Sequence, residues 1–216
     1  MAAIQSLMKA RRRKASTASH AWYSDAMLSE RKERLSPEEY LALERRAENR
    51  SEYLDGDMVA MSGGSREHNL IALNLGAELR SRLKGRPCEV FAGDMRVKVS
   101  GTGLYTYPDV VIVCGEPKFE DANVDTLINP TVVAEVLSES TASYDRGGKF
   151  AHYRKIPSLV DYLLIAQHEP RIERYVRQPE GPWARSEVRS LDGTLDLPSI
   201  QCSVPMAEIY ERVFPQ

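Results

Sequence analysis

Long apolar runs and local cysteine patterns are both missing from this sequence. No stretch approaches the roughly 20 continuous apolar residues that cross a bilayer, and no apolar segment follows the basic start to form a secretory signal. The cysteines Cys88, Cys114 and Cys202 are widely spaced and include no Cys-x-x-Cys pair. We therefore expect no membrane contact, no zinc site and no disulfide framework, and we expect a protein of the reducing cytoplasm.

An excess of charge of one sign is missing as well. The 216 residues include 29 Lys and Arg against 31 Asp and Glu, a formal net charge of -2, whereas tight nucleic-acid binders usually carry a basic face. A chain of this length, 42% hydrophobic, can form one sizeable core but not two large domains. One basic run could form a local patch or only a solvated helix face, and it comprises Arg80, Arg82, Lys84 and Arg86, with Arg96 and Lys98 after it.

The first 34 residues differ from the rest of the chain. Five basic residues, at positions 9 and 11–14, precede the first acidic residue, Asp25. This composition predicts a flexible basic tail that could contact nucleic-acid phosphates. It also suits a targeting peptide or extra sequence ahead of a biological start at Met8 or Met27. We assign no function to the tail and expect the folded domain to span residues 35–216.

Capping and turn residues predict the first elements of this domain. Ser36-Pro37-Glu38-Glu39 combines an N-cap, a helix-starting proline and a capping-box glutamate, which predicts a helix to about Ala47. Residues 51–61 predict a β-hairpin that turns at Gly56. After the break at 62–65, apolar residues at helical spacing predict a second helix through Leu83.

The remainder of the chain predicts a single α/β domain with a central mixed β-sheet flanked by helices. The last three strands read as an antiparallel meander. A polar connection is predicted over 138–148, a helix over 149–155 that ends before Pro157, and a closing helix over 205–213. Short β-branched or apolar runs predict the strands, at 88–92, 96–99, 110–113, 131–137, 161–166, 171–177 and 183–188.

Two carboxylates contradict the apolar pattern around them. Asp109 lies at the mouth of the strand that begins at Val110, and Glu135 lies inside Thr131-Val132-Val133-Ala134-Glu135-Val136-Leu137. Burial of an unpaired carboxylate costs several kcal/mol, so each needs a cation, a hydrogen-bond network or a metal ion beside it. Asp109 could instead follow an ordinary Pro-Asp turn, and Glu135 could pair with a structural Arg or Lys.

A lysine follows the two carboxylates in Asp145-Arg146-Gly147-Gly148-Lys149. Carboxylate oxygens suit Mg²⁺, with Mn²⁺ as a further option, and an ammonium can stabilise charge that develops on phosphorus. The absence of a Cys/His cluster favours magnesium over zinc. Asp109, Glu135 and Lys149 together therefore indicate metal-assisted phosphodiester hydrolysis.

These residues, taken as a set, resemble the Uma2 family of restriction-endonuclease-like proteins, which is assigned to the PD-(D/E)XK nuclease superfamily. The resemblance extends from about Leu35 to about Val213. The motifs that carry it are Glu52-Tyr53-Leu54-Asp55-Gly56, His68, Pro108-Asp109, Glu135-Val136-Leu137-Ser138, Asp145, Lys149 and Tyr153.

The resemblance implies a restriction-endonuclease-like fold and a metal-dependent endonuclease with Asp109 and Glu135 as metal ligands, together with a backbone carbonyl next to Glu135. The superfamily pattern Glu-x-Lys would place its lysine at the position of Leu137. In this family the lysine is supplied from the following helix, and Lys149 is the matching position. Sequence alone leaves open whether Lys149 reaches the strand end.

Two further residues are candidates of second rank. Glu52 is either a third acid near the metal or a cross-strand partner of a Lys or Arg. His68, in the first turn of the second helix, could hydrogen-bond a phosphate, orient a carboxylate or serve only structure. Tyr153 shares a helical face with Lys149, where it could position a phosphate or pack against the sheet.

The sequence thus predicts a metal-dependent endonuclease that hydrolyses nucleic acid, which we expect to be DNA. The alternative is a binding module that keeps the fold without cleaving, for which the neutral charge and the missing Glu-x-Lys argue. A glycosidase-like hydrolase with Asp109 and Glu135 as acid and base is the third option. A homodimer would suit cleavage of two strands, although no seam in the sequence indicates one.

Overall fold

The computed structural model describes residues 34–139 and 141–214, so residues 1–33 of the predicted tail lie outside the described range. No helix within that range is both long and apolar enough to cross a bilayer. The first half contains α1 (Pro37–Glu44), β1 (Ser51–Leu54), β2 (Asp57–Ala60), α2 (Arg66–Arg82), β3 (Cys88–Ala92), β4 (Arg96–Val99), β5 (Leu104–Thr106), β6 (Val110–Cys114) and β7 (Thr126–Leu127).

The second half begins with the strand that carries Glu135 and continues into a helical segment. Its elements are β8 (Val132–Leu137), α3 (Ala142–Tyr144), a π-helical turn (Asp145–Lys149), α4 (Phe150–Tyr153), β9 (Asp161–Ala166), β10 (Ile172–Val176), β11 (Ala184–Val188), β12 (Thr194–Leu197), a 3₁₀ turn (Pro198–Ile200), β13 (Cys202–Pro205) and α5 (Met206–Ile209).

A six-stranded mixed sheet forms the centre of the domain, with strand order β11-β10-β9-β8-β6-β3. The pair β8 and β9 is parallel, and the other pairs are antiparallel. Every residue of these two strands is buried, as expected for strands covered on both faces. The α/β class, the central mixed sheet and the β9-β10-β11 meander are confirmed.

The two faces of this sheet pack against different layers. Val110 and Ile112 of β6 join a core with α2, α5 and the β12-β13 hairpin. Val111 and Val113 point the opposite way and pack with side chains of the second sheet, whose strand order is β2-β1-β5-β4-β7. Helices therefore flank one face as predicted, whereas a second sheet and α4 cover the other.

The local signals at the start of the domain are confirmed. Ser36 accepts a hydrogen bond from the backbone N–H of Glu39, whose side chain accepts one from the Ser36 N–H, so the capping box is complete. The β1-β2 hairpin turns through Asp55 and Gly56, both with positive φ. A φ of 90° at Gly56 requires the freedom of glycine.

Two helical predictions need correction. The polar connection predicted over 138–148 is wrong from Ala142 onward, because the chain there is helical and continues through the π-helical turn into α4. Its polar residues are not all solvated, since Asp145 is buried. The closing helix is shorter than predicted and spans Met206–Ile209.

The expectation of no disulfide framework also needs correction, because the described residues contain one disulfide bond. Cys88 and Cys114 are partners in the β3-β6 register, with Cα atoms 4.0 Å apart, and their sulfurs are bonded. Their separation of 26 residues leaves no local pattern from which to infer the bond. Cys202 is a buried free thiol.

Candidate active site

All five predicted site residues line one cavity of about 550 Å³, which is bordered by β1, β2, the start of α2, the mouth of β6, β8 and the helical segment after it. The cavity also contains Tyr144 and Asp145, for which no role was predicted. The five predicted residues are Glu52, His68, Asp109, Glu135 and Lys149.

Strand pairing brings the two principal carboxylates together. Val110 of β6 is paired with Ala134 of β8 in antiparallel register, so one further step places Asp109 opposite Glu135. Oδ2 of Asp109 accepts a hydrogen bond of 2.7 Å from the Val136 N–H, which ties the aspartate to the edge of β8. The Pro-Asp turn therefore aims a carboxylate across the strand ends and into the cavity.

Glu135 is almost fully buried, and its Oε1 atom has two partners. The Tyr153 hydroxyl donates a hydrogen bond of 2.7 Å, and Nζ of Lys149 lies 3.1 Å away. Burial is the main cause that raises the pKa of Glu135 to about 8, and Asp109 and Asp145 add to it against the opposing charge of Lys149. Tyr153 thus both packs in the core and holds the glutamate.

Lys149 lies among three carboxylates although its side chain is only 8% exposed. Its Nζ atom is 2.9 Å from Glu52, 3.1 Å from Glu135 and 3.8 Å from Asp145. Burial alone would lower the pKa of this ammonium, but the three carboxylates outweigh burial and raise the pKa above its usual value. The helical segment therefore does bring Lys149 to the strand that carries Glu135.

Glu52 contacts the site across the boundary between the two sheets. Its partner in the hairpin register is Val59, so it does not form the cross-strand pair with Lys or Arg that was the structural alternative. Instead it accepts hydrogen bonds from Thr106 and from Lys149. Glu52 thereby fixes the lysine from the side opposite Glu135.

His68 is a hydrogen-bond partner of Asp109, with 2.8 Å between Nε2 and Oδ1. This bond raises the pKa of the imidazole, while burial opposes the rise. The Ser65 hydroxyl caps the helix by accepting from the His68 N–H and donates to Gln167, whose amide donates to the Leu137 carbonyl. His68 is therefore oriented by a network that starts at the end of β8.

Three residues of the site were not given their roles by sequence reasoning. Asp145 faces Lys149 at a spacing of four residues, which is one helical turn. This spacing was not recognised because the segment was predicted to be a polar connection. Gln167 follows β9 and lies far from every motif, so no local signal pointed to it. Tyr144 lies in the wall of the cavity, and its sequence neighbours gave no hint of that position.

The donor set fits a magnesium ion. Five acidic side chains line the cavity against one lysine and one histidine, which leaves an excess of acidic groups; they are Glu52, Asp57, Asp109, Glu135 and Asp145. Within the described part of the chain, no three Asp, Glu, His or Cys side chains form a ready-made metal cage. Magnesium needs no such cage, because it commonly keeps several waters and binds through one or two carboxylates.

Known proteins resemble this chain in sequence. The profile of the family described as "Uma2: Putative restriction endonuclease" matches residues 37–207. The uncharacterized protein slr1290 of Synechocystis sp. is 38% identical over 177 residues, 82% of this chain and 92% of that protein. A second Synechocystis protein, sll1609, is 38% identical over 154 residues, 71% of this chain and 87% of its own length.

A solved structure shares the fold. It is the crystal structure from Anabaena variabilis described as "a putative nuclease belonging to DUF820", which superimposes with a TM-score of 0.67 at 20% identity over 82% of this chain and 98% of that one. The family match covers both sheets and all five predicted site residues. This chain therefore belongs to the Uma2 family of restriction-endonuclease-like proteins.

Proposed function

We propose that this protein is a magnesium-dependent endonuclease that hydrolyses phosphodiester bonds in nucleic acid, with DNA as the expected substrate. The observation that carries the proposal is the position of Lys149, whose ammonium is held by Glu52 and Glu135 in the cavity that Asp109 also lines. Family membership supports the same class of activity.

In this proposal Asp109 and Glu135 hold Mg²⁺, with Mn²⁺ as a possible replacement. When bound, the ion would polarise the phosphate and make water a better nucleophile at neutral pH. Lys149 stays protonated among its carboxylates and stabilises the negative charge that develops on the phosphate. Tyr153 orients Glu135, His68 orients Asp109 and Glu52 orients Lys149.

The two competing functions differ in what they require of these residues. A binding module on the same fold needs no chemistry from Lys149 or Glu135, and the Leu137 that replaces the usual lysine favours it. A glycosidase-like site would use the two carboxylates without a metal and gains nothing from the buried ammonium beside them. Metal-dependent cleavage of nucleic acid therefore separates the proposed nuclease from both alternatives.

The experiment measures cleavage of labelled single-stranded and double-stranded DNA and RNA with Mg²⁺, with Mn²⁺ and with EDTA. The variants are Asp109→Asn, Glu135→Gln and Lys149→Met. Asp161→Asn is the matched control, because Asp161 is a buried carboxylate paired with Arg174 and does not line the cavity. Circular dichroism checks that each variant is folded.

We expect metal-dependent cleavage that falls by about a hundredfold or more in each of the three site variants. The folded control should retain the activity of the unmodified chain. No cleavage of any substrate with either metal, or undiminished cleavage in folded Asp109→Asn and Glu135→Gln, would contradict the proposed nuclease and favour the non-cleaving binding module.

A further inference from the structure

One wall of the cavity is apolar and open to solvent. The exposed fraction is 64% at Val59, 37% at Met61 and 40% at Tyr144, and all three residues line the cavity that holds the acids. Single exposed apolar residues are ordinary on a protein surface. Three exposed apolar residues that border the same cleft form a contact surface for a ligand that enters the cleft.

The Tyr144 ring is seated against the backbone of the π-helical turn. A Cβ atom added at Gly148 would lie 2.7 Å from Cε2 of this ring, so the absence of a side chain there makes room for the ring. The phenol also borders the acids, because Tyr144 lines the same cavity as Glu52 and Asp145. The ring therefore extends from the solvent to the carboxylate cluster.

Basic groups that could hold a long phosphate backbone are few in this cleft. The cavity lining, as far as the structure describes it, contains Lys149 and His68 as its basic side chains, and both already contact carboxylates. Tight duplex binding depends on many contacts between Lys or Arg and phosphates. Binding of single strands depends more on stacking of bases against aromatic side chains.

No residue of the basic run predicted from the sequence lines this cavity. Arg96 is buried and pairs with Asp125, and Lys98 pairs with Glu120. Arg82 pairs with Glu78 and Glu208. These guanidinium and ammonium groups are therefore committed to partners within the fold.

The size of the cleft also favours a single strand over a duplex. Its volume of about 550 Å³ lies in the range of sites that enclose a small ligand, about 300–1,000 Å³. The major groove of B-DNA alone is about 12 Å wide, so a whole duplex is too large for a cleft of this volume. An unpaired nucleotide is small enough to bring its phosphate to the acids and its base to the apolar wall.

We propose that the substrate of this site is single-stranded or locally unpaired nucleic acid, with an unpaired base packed against Tyr144, Val59 and Met61. This inference rests on the proposed nuclease function, since it assigns the scissile phosphate to Asp109, Glu135 and Lys149. It adds a specificity surface that is distinct from the residues of the cleavage chemistry.

The test compares the binding of three fluorescein-labelled probes by anisotropy, with Ca²⁺ as the divalent cation. The probes are a dodecamer of deoxythymidine, the same strand paired with its deoxyadenosine complement, and a dodecamer of abasic sites with the same number of phosphates. The variants Tyr144→Ala and Gly148→Ala disturb the wall, since a side chain at position 148 displaces the Tyr144 ring.

Three variants serve as controls. Tyr144→Phe keeps the ring, and Leu191→Ala removes an apolar side chain of similar exposure, 41%, that does not line the cavity. Gly147→Ala places the same methyl group one residue earlier, where it meets nothing within 4 Å. These controls separate loss of the wall from general effects of the substitutions.

We expect the thymidine strand to bind at least about fivefold more tightly than the duplex and the abasic strand, because one stacked base accounts for at least that factor. Tyr144→Ala and Gly148→Ala should each lose about that factor, and the three controls should not. Equal binding of the three probes, or unchanged binding in folded Tyr144→Ala, would overturn the inference.

Cleavage in Mg²⁺ tells the two proposals apart. Cleavage of a duplex as fast as of a single strand, with no effect of Tyr144→Ala, contradicts the inference and leaves the nuclease intact. A clear preference for the thymidine strand in binding, without cleavage of any probe, contradicts the nuclease and leaves the binding wall intact.

Discussion

Lys149 shows how single residues of this site depend on one another. A buried ammonium is costly unless its charge is matched, and Glu52, Glu135 and Asp145 match it from two strands and from the preceding helical turn. The same ammonium separates carboxylates that would otherwise repel one another. It therefore serves the fold in addition to any role in cleavage.

Removal of this cation should destabilise the protein. In Lys149→Met the carboxylates of Glu52, Glu135 and Asp145 lose their shared partner, and loss of one member of a buried ion pair costs about 3–5 kcal/mol. Urea denaturation at about pH 9, above the pKa of Glu135, measures the change in the free energy of unfolding. Exposed Lys155→Met is the control. A loss no larger than that of the control would contradict this account of the lysine.

At the scale of elements, β6 connects the candidate active site with the disulfide bond. One end of the strand follows Asp109, and the other carries Cys114, bonded to Cys88 of β3. β3 is an edge strand, with β6 as its neighbour in the central sheet. The disulfide therefore joins an edge strand to the strand that supports the site.

Reduction of the disulfide should lower stability without removing the fold. The bridge joins cysteines 26 residues apart. A loop of that length restricts the unfolded chain, and its closure contributes about 3 kcal/mol in the chain-entropy account. The double variant Cys88→Ser with Cys114→Ser should lose that amount of unfolding free energy in urea denaturation. Cys202→Ser is the comparison variant, because Cys202 is a buried free thiol and its replacement opens no covalent loop.

The number of free thiols checks the bond directly. Within the described residues the native protein should expose, on unfolding without reductant, the single thiol of Cys202. Reaction of all three cysteines under that condition would contradict the bond. Equal stability of the double variant and the unmodified chain would contradict the predicted contribution of the disulfide to the free energy of unfolding.

At the scale of the whole molecule, the site joins two sheets. Glu52 comes from the five-stranded sheet, while Asp109 and Glu135 belong to the mouth and the interior of the six-stranded one. Ion pairs through Lys149 cross between them. The charge state of the site therefore affects the stability of the domain as one unit.

Stability without metal should fall as the pH rises. The pKa of Glu135 is about 8 in the folded protein, above its ordinary value of 4.5. Between these values the folded state holds a proton that the unfolded state releases, so the free energy of unfolding decreases with rising pH. The Tm in EDTA should therefore fall between about pH 5 and about pH 8, and Glu135→Gln should flatten that dependence.

Magnesium should oppose this fall in stability. A carboxylate must be ionised to bind the ion, so Mg²⁺ competes with the proton on Glu135 and stabilises the folded state more at higher pH. The increase in Tm on addition of Mg²⁺ should be larger at about pH 8 than at about pH 6. An equal increase in Tm at both pH values would argue against Glu135 as a ligand. So would an increase in Glu135→Gln as large as that in the unmodified chain.

Predictions that rest on neighbouring residues agree well with the structure. The capping box at Ser36, the hairpin at Gly56 and the runs of the central strands each depend on local geometry and on alternation of side chains. Short strands such as β5 and β7 were missed, because two or three residues carry too little pattern. The helical residues before Lys149 were missed because charged groups that are buried together look like a solvated loop.

The sequence by itself determined the central strands, the family and the two carboxylates that conflict with their apolar surroundings, since these depend on residue type and spacing along the chain. Tertiary structure decided that Lys149 reaches Glu135, that Cys88 meets Cys114, and that Tyr144 borders the acids. The physical reason is that each of these contacts joins side chains whose approach depends on how separate segments pack, and no local propensity encodes that packing.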